Sequence, residues 1–167
     1  MKRLFILFLF AFTITFAGHA QISSAQAMFL YNFSRLIKWP ESNSQGDFVF
    51  GVFGNKDVYN NLVTLTKGKM VGTQPIAVKY FNDTREISAC HVIFVSNTKL
   101  SQFHEVVRRM QNNSSLIVTE KQGMISSGST IDFVVADNKL HYMLSEENAR
   151  KNNLVVSRNL QDMAMTN

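Results

Sequence analysis

The chain has 167 residues, a formal net charge of +5, 46 % hydrophobic residues and one cysteine. A single cysteine excludes an internal disulfide framework, so stability has to come from a packed core. Beyond the first few residues the only adjacent basic pairs are Arg108-Arg109 and Arg150-Lys151, too sparse a basic surface for a nucleic-acid binder.

Lys2 and Arg3 precede an apolar run of thirteen residues, Leu4 to Phe16, and small residues follow around Gly18 and Ala20. This order reads as a secretory signal peptide over residues 1–20, cut before Gln21. The run is shorter than the ~20 residues a membrane-spanning helix needs, and no later segment approaches that length. The mature chain is therefore expected to be soluble, with no direct membrane insertion. Cys90 lies far from the cleavage point, so no lipid anchor is expected there. Residues 21–167 suffice for one domain, whose charge falls to +3 as Lys2 and Arg3 leave.

Residues 23–39 have helical periodicity. Tyr31, Ser34, Arg35 and Lys38 share one side, and Ala25, Met28, Phe29, Leu30, Phe33, Leu36, Ile37 and Trp39 cover an apolar arc of about 200°. Asn32 projects from the middle of that arc and is expected to be a buried hydrogen-bonding group, because an unpaired buried amide costs on the order of 1–3 kcal/mol. Pro40 stops the helix at Trp39, since the residue before a proline is pushed out of the α region.

The run DFVFGVFG reads as a strand ending at Gly54, followed by a short helix over 57–66 that Asp57 starts. A glycine-containing loop leads to the strand IAVKYF and then to CHVIFVS. Helix 99–111 places Phe103, Val106, Val107 and Met110 on one face, and SLIVTE is the next strand. IDFVV and LHYML alternate, and Asp137-Asn138 between them tolerate the left-handed backbone of a tight turn, which makes a hairpin. Ser145 caps a last-but-one helix with Glu146 and Glu147 in its first turn, and Asn153 is its left-handed terminator. Strands alternating with helices and ending in a hairpin argue for one α/β domain, with a mixed parallel and antiparallel sheet of about five to six strands flanked by helices.

No catalytic, cofactor or metal site is expected. His91, His104 and His141 lack ligand spacing. Cys90 and His91 are neighbours on a strand, so their side chains point to opposite faces and form no dyad. Cys90 itself reads as an inert core thiol. GVFGNKDVY has the strand–glycine–helix order of an anion cradle, but without its lysine or three glycines it is an ordinary turn.

Several segments, taken in order, resemble the YfiR-like family of periplasmic regulators. The family's FLYNFxKxxxWP helix is matched by FLYNFSRLIKWP at 29–40, its FxIxVxG strand by FVFGVFG at 48–54, and its CHVLFIS-like strand by CHVIFVS at 90–96. LIVTE at 116–120, GSTIDFV at 128–134 and ARKNNLVVSRNLQDMA at 149–164 match the remaining segments. Where the family has Gly-Leu near its end this chain has Asn153-Leu154, and its Phe-Glu-hydrophobic-Asn pattern is Tyr142, Met143, Leu144, Ser145. Some relatives use disulfides, which one cysteine cannot form internally.

The resemblance implies a periplasmic, non-catalytic regulator that binds the periplasmic part of a membrane signalling enzyme, a diguanylate cyclase in known cases, and holds it inactive. On this reading Tyr31, Arg35, Lys38 and Trp39 are the candidate partner-binding residues, since aromatics and arginine are enriched at interfaces. The bland alternative assigns the same apolar residues to the core and the charges to solvent. A second functional reading is a small-molecule sensor or accessory protein serving another membrane receptor such as a histidine kinase. A third, a small hydrolase, lacks partner groups for its nucleophile. Monomer and symmetric homodimer are equally compatible with the pattern.

Overall fold

The apolar runs FVFGVF, VIFV and LIVT form the centre of a sheet because they are buried on both faces, as parallel strands covered by helices must be. The computed structural model describes residues 14–165, with side chains from residue 21. The leader expected over 1–20 lies outside the described residues as far as position 13, and helix α1 (Ile14–Leu36) begins immediately after. Among the described residues no helix is long and apolar enough to cross a membrane.

The strands are β1 (Ile37–Lys38), β2 (Phe48–Phe53), β3 (Met70–Val71), β4 (Gln74–Phe81), β5 (Val92–Val95), β6 (Leu116–Thr119), β7 (Ile131–Ala136), β8 (Lys139–Leu144) and β9 (Val155–Val156). The remaining helices are α2 (Lys56–Thr66), α3 (Phe103–Met110), α4 (Glu146–Lys151) and α5 (Arg158–Asp162). Seven strands make one mixed sheet in the order β3-β4-β2-β5-β6-β7-β8, and β1 pairs with β9 in a separate ribbon. The five strands from β4 to β7 in that order run parallel, and β3 and β8 add antiparallel pairs at the two ends. The sheet therefore exceeds the expected five to six strands by β3, a two-residue strand inside what reads as a glycine loop.

The period of two divides each central strand between two apolar layers. Phe50, Val52, Val92, Phe94, Leu116 and Val118 face α1 and α2 with Leu30, Phe33, Val58 and Leu62. Phe53, Ile93, Val95 and Ile117 face α3 with Phe103, Val106 and Met110. Gly51 belongs to the second layer and has to be glycine, because a Cβ there would come within 2.7 Å of Cys90 Sγ and 2.8 Å of the Phe81 ring.

Helix α1 departs from expectation in three respects. Its buried residues Ser23, Gln26, Ala27, Leu30, Phe33 and Ser34 follow the three-and-four spacing of a single stripe, narrower than the 200° arc, and Met28 is 54 % exposed. Asn32 is exposed and Ser34 is buried, the reverse of the sequence reading; Ser34 satisfies its hydroxyl by donating to Tyr31 O at 2.7 Å. The helix also ends at Leu36, three residues early. Ile37 and Lys38 pair with Val156 and Val155, and Ser157 N–H donates to Leu36 O, so long-range pairing competes with the last helical turn. Pro40 then stands in extended backbone at φ −61°, ψ 153°.

Local signals elsewhere are realised. Asp137 and Asn138 have φ of 51° and 57°, which gives the β7–β8 hairpin its tight turn, and Asn153 terminates α4 at φ 57°. Ser145 Oγ accepts from Asn148 N–H at the start of α4. For α2 the cap is Asn55 and not Asp57: its Oδ1 accepts from the amides of both Asp57 and Val58 at 3.1 Å. Helix 99–111 divides into a 3-10 segment, Asn97–Gln102, and α3.

The correction at α1 has a measurable counterpart. Phe33→Ala should lower the unfolding free energy by about 3–5 kcal/mol, the usual cost of emptying a buried aromatic site, whereas Asn32→Ala should stay within about 0.5 kcal/mol. Urea denaturation midpoints at constant slope check both.

Candidate functional site

In an open α/β sheet, ligands bind outside the carboxyl ends of the strands, where the strand order reverses. The five parallel strands, taken in chain order, run 2-1-3-4-5 across the sheet, and the reversal lies between β2 and β5. Side chains fill that place. Glu120, just after β6, accepts at Oε1 from Asn55 Nδ2 at 3.1 Å and Gln26 Nε2 at 3.3 Å, and at Oε2 from Ser96 Oγ at 3.1 Å and Asn97 N–H at 2.8 Å. Lys99 lies across Gly54, with Nζ over the Phe53 ring at 5.2 Å and donating to Asn82 O at 2.7 Å. The crevice thus serves as the anchor of α1 on the sheet. A carboxylate at its centre opposes an anion there, and Asn55 already occupies the first amides of α2. The strand–glycine–helix turn is ordinary, as its sequence implies.

Cys90 and His91 point to opposite layers. Cys90 is 4 % exposed, its Sγ donates to Ser88 O at 3.1 Å, and burial pushes its thiol up to about 12. His91 stacks on Phe48 at 4.4 Å; its Nδ1 accepts from Val49 N–H at 3.0 Å and its Nε2 stands 2.9 Å from Asn43 O. Those two partners place the proton on Nε2, so the ring extends the β2–β5 ladder as a backbone carbonyl would. Among the described residues no group of three His, Cys, Asp or Glu side chains is placed to hold a metal ion.

Asp132 is a further buried acid that sequence reading passed over, because it sits inside an apolar strand. It is fully buried and accepts from Thr119 Oγ1 at 2.6 Å, from Ser129 Oγ, and from the amides of Met124 and Ile125 at 2.7 and 3.2 Å. Four donors satisfy a carboxylate without a counter-cation. Its work is to fold the β6–β7 loop back onto the sheet. The signal available in the sequence was an acid between Ile131 and Phe133 with hydroxyls at 119, 129 and 130 around it.

The outer face of α1 is different in kind. Tyr31 is half-buried, and two cations approach its ring: Lys69 Nζ at 4.6 Å and Arg35 Cζ at 5.9 Å from the centroid. Arg35, Lys38 and Lys69 are exposed. Beside them an open cleft of about 340 Å³ runs between α1, β8 and α5, lined by Phe29, Asn32, Arg35, Tyr142, Leu160 and Met163. Met163 in its lining is 60 % exposed, and Met28, one helical turn before Asn32 on α1, is 54 % exposed. Of the four residues read as partner-facing, Tyr31 and Arg35 share this face, whereas Lys38, expected on the same helical side, lies beyond the helix in β1, exposed and paired through its backbone with Val155. Trp39 does not present its ring in the same way. It packs edge-on against Phe48 at 5.0 Å, and its Nε1 is buried without a partner. Lys69 was missed because it lies 38 positions downstream of Tyr31, in a loop of no distinctive composition.

A family model described as YfiR/HmsC-like matches residues 23–165. No curated protein matches the chain.

Burial of Cys90 yields two expectations. Its thiolate is roughly a thousandfold scarcer than that of a free thiol near neutral pH, so iodoacetamide should label the protein only after unfolding. Its folded value lies above the ordinary 9.0, and that of Tyr142 lies above 10.0, raised to about 12 by burial. Both groups therefore contribute stability that is fully present below about pH 9 and is lost as pH rises toward 12. Urea midpoints should fall through that window, and less steeply in Cys90→Ala.

Proposed function

The chain belongs to the YfiR/HmsC-like family, and from that premise we propose that it is a non-catalytic periplasmic regulator that binds the sensor part of a membrane signalling enzyme and holds it inactive. By family resemblance the enzyme is a diguanylate cyclase. The observation that carries the reading is the outer face of α1, where Tyr31 and Arg35, with Lys69 beside them, adjoin an apolar cleft on a helix whose other side is locked into the core. A rigid element with an aromatic, an arginine and exposed methionines is what protein interfaces select. The filled switch point and the unreactive Cys90 lend the non-catalytic reading further support.

Inhibition by binding requires only differential affinity. If the sensor domain alternates between two conformations, this protein biases it toward the one it binds better, and each tenfold preference is worth about 1.4 kcal/mol. Release of that bias is the signal. A second reading, a small-molecule sensor serving a receptor such as a histidine kinase, draws on the cleft, whose size is at the lower end of ligand sites.

Cross-linking the tagged protein in its native envelope and identifying the captured membrane protein decides between them. A cyclase supports the first reading and a kinase the second, while capture of no membrane partner sinks both. Arg35→Glu and Lys38→Glu should each weaken capture severalfold with circular dichroism and thermal unfolding unchanged. Undiminished capture would clear this face of any role.

A further inference from the structure

Resting on that reading of α1, we infer that the partner meets this face with an acidic segment of polypeptide. The described residues hold five ion pairs: Arg85–Asp83, Arg108–Glu105, Arg109–Glu105, Arg150–Glu146 and Lys151–Glu147. None involves Arg35, Lys38 or Lys69. The ion-paired acids, Asp83, Glu105, Glu146 and Glu147, neutralise cations on α3, on α4 and in the loop after β4, and among the described residues Arg35, Lys38 and Lys69 stand without an ion-pair partner. Arg35 and Lys69 are moreover held near one ring, at 5.9 and 4.6 Å from the Tyr31 centroid, so two like charges are kept close together with no carboxylate between them. An incoming carboxylate relieves that repulsion. It also meets side chains that the ring has partly ordered, which lowers the entropy lost on binding.

Polypeptide fits better than an anionic bilayer. The apolar surface beside the cations is concave, walled by Phe29, Leu36, Tyr142 and Leu160, and its 340 Å³ is the scale of one or two side chains. A membrane-binding surface would instead present a protruding apolar edge beneath its cations. Arg35 on α1 and Lys69 in the loop before β3, gathered at one ring with Lys38 exposed just beyond the helix, match a short acidic run, and the electrostatic part of such binding falls as salt screens it.

The test uses two fluorescein-labelled peptides, one alternating glutamate with serine and one alternating lysine with serine, together with vesicles of phosphatidylcholine and phosphatidylglycerol. Anisotropy at low ionic strength should show the full-length protein binding the glutamate peptide at least tenfold more tightly than the lysine peptide. The triple variant Arg35→Glu/Lys38→Glu/Lys69→Glu should lose at least tenfold in that affinity. Lys79→Glu/Lys121→Glu/Lys151→Glu, with the same net charge, should retain it. Equal loss in both variants, no binding of the glutamate peptide, or vesicle binding that depends on the same three cations would each overturn the inference. The reading it rests on is judged separately by envelope capture in Met163→Asp, a cleft variant. If that variant loses the partner while the peptide experiment fails, the interface stands and its acidic complement falls.

Discussion

The packing of two phenylalanines of α1 against two aromatics of the sheet governs most of what this protein presents to its surroundings. Phe33 stacks on Phe133 at 6.0 Å and meets Tyr142 edge-on at 5.1 Å, while Phe29 approaches the same two rings at 6.0 and 5.8 Å. Such pairs add about 0.5–1.5 kcal/mol each beyond the area they bury. More consequential is their geometry. Rings one helical turn apart, seated on fixed rings below, set the rotation of α1 about its own axis, and that rotation decides that Tyr31 and Arg35 look outward. Tyr142 passes the constraint to α5 by donating its hydroxyl to Leu160 O at 2.6 Å, so the far wall of the cleft is positioned by the same cluster.

The parts of the fold that were legible in the sequence are those settled within a few residues. A left-handed turn at Asp137-Asn138, a cap at Ser145 and a terminator at Asn153 depend on local backbone energetics, and an apolar run of strand length has few alternatives. The parts that were not legible depend on distant partners. Hydrophobic periodicity identifies an amphipathic helix but fixes its rotation poorly when apolar residues exceed what the core can cover, so Met28 emerged and Ser34 went under. The last turn of α1 yields to β9, more than a hundred residues away, and Asn55 competes successfully with Asp57 because both are good caps and only one sits before the helix. At the candidate site, Tyr31 and Arg35 could be placed on one side of α1 from spacing alone; Lys38, which leaves the helix for β1, Lys69 and the walls from β8 and α5 could not.

The strand order is one that elsewhere carries ligands at the reversal between the first and third parallel strands. Here Asn55, Ser96 and Gln26 each donate to Glu120 across that place, and Gln26 belongs to α1. What in an enzyme would be a substrate crevice is in this chain a fastening for the helix that bears the candidate interface. The polar groups at the switch point are thereby given to holding α1 on the sheet.

The ties of α1 run two ways, to α2 close by in sequence and to the last third of the chain. Gln26 bonds to a residue 94 positions on, β1 pairs with Val155 and Val156, and the aromatic stripe rests on Phe133 and Tyr142. A chain that emerges amino end first can therefore dock α1 on α2 early, but the aromatic stripe lacks Phe133 and Tyr142 until nearly all of it is available. High sequence separation makes such contacts slow to form, and an unburied aromatic stripe is a surface that aggregates or engages chaperones in the interval. Seating of the stripe on Phe133 and Tyr142 is also what builds the cleft between α1, β8 and α5, so that cleft exists only on molecules whose carboxyl-terminal hairpin and last helix are in place.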